Sequence, residues 1–227
     1  PQLSLNIGGT LVQAAYVGGS TTNALTFSYT VLPGQNDADG ISVASNALVL
    51  NGSNIKDAAG NPAVITHVAM GNNAAYVVDT AAPVAPTLAL GTGVANGATS
   101  AEATAAGGVV LVTAEQGASV VVTFSNGVNS VPVTVTGNGS TPVPVILTSA
   151  NLTALGNGTI SVSAVATDAG GNASPAGTSS FKLDTIAPDA PVLTLGTGVS
   201  SGATALEATA STGVVSLTAE QGATVVV

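Results

Sequence analysis

The chain has 227 residues, 45% apolar but only 3% aromatic and 6% charged, with eleven carboxylates against two lysines for a formal charge of −9. Such a chain has almost nothing with which to neutralise phosphates, which excludes nucleic acid as a partner and disfavours an anionic membrane surface. Cysteine is absent, so there is no disulfide framework and no thiolate metal site, and no apolar run of about 18 residues predicts insertion into a membrane.

From the N-terminus, short apolar segments separated by Gly, Asn and Pro predict strands near 3–7, 10–17, 25–31, 41–44, 47–50, 63–69 and 75–78. Pro1-Gln-Leu-Ser-Leu reads as mid-domain sequence, so residues 1–83 are expected to form a module lacking its N-terminal strand. Asn36-Asp37-Ala-Asp39-Gly40 resembles part of an EF-hand loop, but Gln35 stands where the first Asp belongs and the twelve-residue spacing ends on Asn46. A polar turn is the better reading. His67 is the lone histidine and falls in a predicted strand without a Cys or His neighbour, a strand position rather than a zinc ligand or a catalytic base.

Asp79-Thr-Ala-Ala-Pro-Val-Ala-Pro86 then reads as an acidic, proline-flanked linker, and it returns 105 residues later as Asp184-Thr-Ile-Ala-Pro-Asp-Ala-Pro191. Between the two lies one complete module, 84–188, with strands expected near 87–90, 108–113, 119–124, 130–136, 143–147, 159–167 and 179–183. Ile160, Val162, Ala164 and Ala166 alternate with Ser161, Ser163 and Thr167, the period of a half-buried strand. Phe181 and Leu183 should point inward and Lys182 outward. Pro132, Pro142 and Pro144 lack amide donors, so the fourth strand and the start of the fifth should lie at a sheet edge or a strand entry. Residues 189–227 repeat 84–122, and across 79–122 and 184–227, 31 of 44 positions are identical. A period of this length suits tandem, independently folding modules; Val225-Val-Val227 stops inside a predicted strand, so the third module is expected to be an N-terminal part. The fold class expected is all-β: tandem Ig-like antiparallel sandwiches joined by short acidic linkers containing proline.

The strand order distributes the carboxylates. Loops alternate between the two ends of such a sandwich, which brings Glu115 and Asp168-Ala-Gly-Gly-Asn172 to the end where Asp79 arrives. Glu102 falls at the other end, beside Asp184 and Asp189 of the next linker, and Glu220 faces that junction from the third module. Carboxylates gathered at joints repel unless compensated, and Ca²⁺, which takes six to eight oxygens in flexible geometry, would compensate them. The expected structural Ca²⁺ ligands are therefore Asp79, Glu115, Asp168 and Asn172 at one joint, and Glu102, Asp184, Asp189 and Glu220 at the other. Asp57-Ala-Ala-Gly-Asn61 is the first module's counterpart of 168–172 and gives Asp57 the same role. The competing reading is that these Asp and Asn side chains only cap their own turns. Gly91-Thr-Gly-Val-Ala-Asn-Gly97 has the wrong spacing for a dinucleotide loop and recurs at 196–202 as module architecture. No Gly-x-Ser-x-Gly elbow is present and no base accompanies the many hydroxyls, so no enzyme is expected.

The Asp-Thr-x-Ala-Pro linkers, the Asp-x-x-Gly-Asn loops and the Gly-Thr-Gly-Val and Ala-Glu-x-Gly-Ala segments resemble those of tandem bacterial Ig-like domains in giant repetitive surface adhesins. Such adhesins are exported by type I secretion and used in biofilm formation. The resemblance covers 79–227 most closely and implies interdomain Ca²⁺ on Asp79, Asp168 and Asp184. It also implies an extracellular, cell-surface stalk whose partners are neighbouring modules of the same chain. The alternative function is an assembly unit in which identical chains build a filament, sheath or matrix.

Overall fold

A computed structural model describes residues 1–226. The regular structure is mostly antiparallel β, and the residues gather into two compact units, Pro1–Leu183 and the segment from Asp184 on. No helix among the described residues is long and apolar enough to cross a membrane.

At the N-terminus, β1 (Gln2–Ile7) and β2 (Thr10–Gly18) form a hairpin closed by Gly8-Gly9, with Ile7 opposite Thr10. β3 (Thr26–Ser28) and β4 (Leu48–Val49) complete a four-stranded sheet in the order β3-β2-β1-β4. The strands expected at 41–44 and 75–78 are reduced to isolated bridges, Asn6 with Ser42, Val43 with Met70 and Asp37 with Val78, and residues 63–69 form neither strand nor bridge. The 63–70 stretch shows why. Its backbone is shared among three different partners, Ala63 donating to Ile55, Asn46 donating to His67, and Met70 exchanging bonds with Val43. No single ladder forms, and Val64 and Val68 face solvent. Only Ile7, Val12 and Val78 make the buried cluster here, with Leu5, Tyr29 and Ile41 against it. Polar bonding supplements so small a core. Asp37 is buried, and its carboxylate accepts from the amides of Gly8 and Gly40, both at 2.8 Å. The Gly8 amide is the main cause that holds this carboxyl below the usual carboxylate range.

The segment 84–183 is a sandwich. β5 (Thr87–Leu90), β6 (Val110–Thr113) and β9 (Val143–Val145) form one sheet, in the order β5-β6-β9. β7 (Ser119–Ser125), β8 (Ser130–Thr136), β10 (Gly158–Thr167) and β11 (Gly177–Leu183) form the other, in the order β11-β10-β7-β8. Both sheets contribute to one apolar core around Val112, Val120, Val122, Phe124, Ile160, Val162 and Leu183, with Phe124 meeting Phe181 edge-to-face at 6.3 Å. The alternation expected for β10 holds: Ile160, Val162, Ala164 and Ala166 are buried. The proline-bearing strands β8 and β9 both lie at sheet edges, where a missing amide donor breaks no second ladder.

Two short helices sit in connections where only loops were expected. α1 (Ser100–Ala103) is closed by a capping box between Thr99 and Glu102, and α2 (Ser149–Leu155) by one between Thr148 and Asn151. α2 turns Leu152 and Leu155, three residues apart, into the core between β9 and β10.

In the second unit, β12 (Val192–Leu195) pairs with β13 (Val215–Thr218), and a third capped helix, α3 (Ala205–Ala208), lies between them. Of the strand expected at the C-terminal end, Val227 lies outside the described residues.

Candidate functional site

The loop between β10 and β11 is built around Asp168. Its backbone accepts from Gly171 and donates to Asn172, and its carboxylate accepts twice from Asn172, at 2.8 Å from the amide nitrogen and 3.0 Å from Nδ2. The Asn172 side chain, then its backbone amide, hold the Asp168 carboxyl below the ordinary range. Asn172 also reaches out of the loop: Nδ2 donates to the Asp79 carbonyl oxygen at 3.2 Å. Asp79 lies in the linker and folds its own Oδ1 back onto the Ala81 amide at 3.0 Å. Gly170 marks where these residues converge. A methyl group there would lie 2.9 Å from Asn172 Nδ2, 3.3 Å from Asp168 Oδ1 and 3.3 Å from the Asp79 Cβ.

The first loop repeats the arrangement residue for residue. Asn61 donates to Asp57 from its amide and from Nδ2, both at 2.8 Å, and the same side-chain bond is the main cause that depresses the Asp57 carboxyl. Asp-x-x-Gly-Asn is thus a self-closing acidic turn wherever it occurs in this chain.

The other expected ligands are placed one by one. Glu102 Oε2 accepts from the Thr99 amide and hydroxyl, both at 2.9 Å, as the reciprocal half of the α1 capping box. These Thr99 bonds, the backbone one first, hold its carboxyl low. Glu207, which sequence reasoning did not single out, does the same for Thr204 at 2.8 and 2.7 Å. The signal that could have found both helices was present as Thr-x-x-Glu ahead of an apolar stretch. Glu115 is exposed in the turn before β7, its carbonyl accepting from Ala118. In the second unit Asp184 Oδ1 accepts from the Ile186 amide at 3.2 Å, a counterpart of the Asp79–Ala81 turn, and Asp189 and Glu220 are exposed.

Among the described residues no group of three or more His, Cys, Asp or Glu is placed to hold a metal ion. At the Asp79–Asp168 joint both Asp168 oxygens are occupied by Asn172 donors, and Asn172 presents nitrogen to its neighbours. As placed, these residues form a hydrogen-bonded joint. His67 offers no free base either: Nε2 accepts from the Ala47 amide at 2.9 Å and Nδ1 lies 2.8 Å from the Val68 carbonyl.

No protein-family model matches the chain, and no curated protein matches it. Among solved structures, the chain is similar to the crystal structure of a tetra-tandem repeat in the extending region of a large adhesion protein, with 22% identity and a TM-score of 0.38. That alignment covers 88% of this chain and 45% of the other, so the chain spans less than half the length of the structure it matches.

Proposed function

We propose that this chain is a spacer segment of a bacterial surface adhesin, in which β-modules 1–83, 84–188 and 189–227 extend the protein away from the cell and support adhesion and biofilm formation. The observation that carries the reading is the structural recurrence of one strand–turn–helix–strand segment. β12–β13 repeats β5–β6 in register, with the same 3₁₀ turn and the same capping box. Duplication of a local unit multiplies length. The role is mechanical and not catalytic, its partners are neighbouring modules of the same chain, and its place is extracellular.

Stiffening by Ca²⁺ is the competing account of the joint: Asp79 and Asp168 would supply the carboxylates, provided Asn172 turns its amide oxygen toward them. Assembly of identical chains into a filament or matrix is the second reading.

Negative-stain electron microscopy separates these. Beads in a row from isolated chains support the spacer, ordered fibres support assembly, and a single compact particle overturns both. Small-angle scattering with Ca²⁺ and with chelator then tests the ion; identical curves exclude stiffening by Ca²⁺.

A further inference from the structure

The linker after residue 78 is short and proline-rich, yet it is not a free tether. Val78 exchanges backbone bonds with Asp37, at 2.7 and 2.9 Å, and the next residue but one continues this attachment through its side chain. The Thr80 amide donates to Asn36 Oδ1 at 2.7 Å, the Thr80 hydroxyl donates to the Gln35 carbonyl at 3.1 Å, and the same hydroxyl oxygen accepts from the Gly34 amide at 2.9 Å. Thr80 therefore uses its backbone donor, its hydroxyl proton and a hydroxyl lone pair on one loop, 34–36.

The residue before it is held from the opposite side. The Asp79 carbonyl accepts from Asn172, and the Asp79 Cβ packs at Gly170. Seven residues on, the Pro86 carbonyl passes so close to Gly177 that a Cβ there would sit 1.9 Å from the oxygen. Pro83 and Pro86 are buried along this path, and each proline fixes its own φ. The linker thus touches the 84–183 sandwich at both of its ends.

We infer that Asp79-Thr80 is a two-sided pin: Thr80 fastens the linker to loop 34–36, Asn172 fastens Asp79 to loop 168–172, and the angle between 1–78 and 84–183 is set by these direct bonds without a metal ion. The inference stands whether or not the chain serves as a spacer, because it concerns the joint alone. Asp-Thr recurs in the sequence at 184–185.

The chain has no cysteine, so Ala15→Cys in β2 and Thr134→Cys in β8, both at exposed positions, give one pair of spin labels across the joint. Pulsed dipolar spectroscopy in chelator is expected to give a single narrow distance peak for the labelled parent chain. Thr80→Val and Asn172→Ala should each lose that peak to a broad distribution while calorimetry shows both modules still folded. Thr80→Ser should keep it. A parent chain whose distribution is broad in chelator and narrows only on adding Ca²⁺ would overturn the inference. So would a narrow peak surviving in the double variant Thr80→Val, Asn172→Ala.

Discussion

Residues 84–118 and 189–223 are nearly the same sequence in two settings, and they share every local feature while differing in burial. Thr87 opposite Thr113 corresponds to Val192 opposite Thr218, Gly97 and Gly202 both take φ 108°, and both helices are closed by Thr-x-x-Glu boxes. Yet Val110 and Val112 are 0% and 1% exposed, whereas their counterparts Val215 and Leu217 are 48% and 37% exposed. Register, turns and caps are therefore properties of the segment itself. Burial comes from β7, β10 and β11, which close the first copy's core.

The largest test of this contrast is in the core. Phe124 is fully buried against Phe181, and Phe124→Ala should cost about 3–5 kcal/mol through lost burial and a cavity. Val110→Ala should cost about 1.5–2 kcal/mol at about 0.8 kcal/mol per buried methylene-sized group, while Val215→Ala should stay within about 0.5 kcal/mol. Denaturant melts followed by amide exchange read each segment separately. Equal costs at 110 and 215 would mean that the β12–β13 face is covered in solution.

Next comes a pair of glycines. Gly108 and Gly213 have φ 78° and 74°, so alanine strains both by about 1–2 kcal/mol. Only at Gly108 would the new Cβ also meet Val145 N at 2.7 Å and Pro144 Cβ at 2.8 Å; at Gly213 the nearest atom is 3.4 Å away. Gly108→Ala should therefore lower the melting temperature by more than Gly213→Ala. The caps should behave the other way: Thr99→Ala and Thr204→Ala each remove one box, at about 1 kcal/mol, and should weaken α1 and α3 alike. Amide exchange at Glu102 and Glu207 measures this, and unequal loss would show that packing, not the cap, holds α1.

What could be read from the sequence follows the same division. All seven strands of 84–183 were legible because alternation and turn residues there agree with a two-sheet core, as Ile160–Ala166 shows. In 1–78 the short apolar segment 63–69 was equally visible but misleading, since Val64 and Val68 face solvent. α1 and α2 were missed because helices this short show no full apolar period, and only their capping pairs betray them. At the joint, the meeting of Asp79 with Asp168-x-x-Gly-Asn172 follows from strand order. That Asn172 would spend its donors on both, and that Thr80 would grip loop 34–36, depends on side-chain directions that no spacing encodes.

The smallest expected effect is on acid stability, and it compares the two Asp-x-x-Gly-Asn turns. Both carboxyls are depressed in the folded chain, each mainly by its own Asn side chain and then its backbone amide. The unfolded chain, with Asp near about 3.9, therefore binds protons more readily than the folded one. The stabilisation is present above that value and lost as pH falls through the depressed folded values. Asp57→Asn and Asp168→Asn should each flatten the acid limb of a melting-temperature profile below about pH 4, by similar amounts if each turn acts alone. A larger flattening for Asp168→Asn would mean that the linker at Asp79 stabilises the charged form across the joint. No difference would leave the turn self-contained, with Asn172 joining it to the linker through a bond that carries no charge.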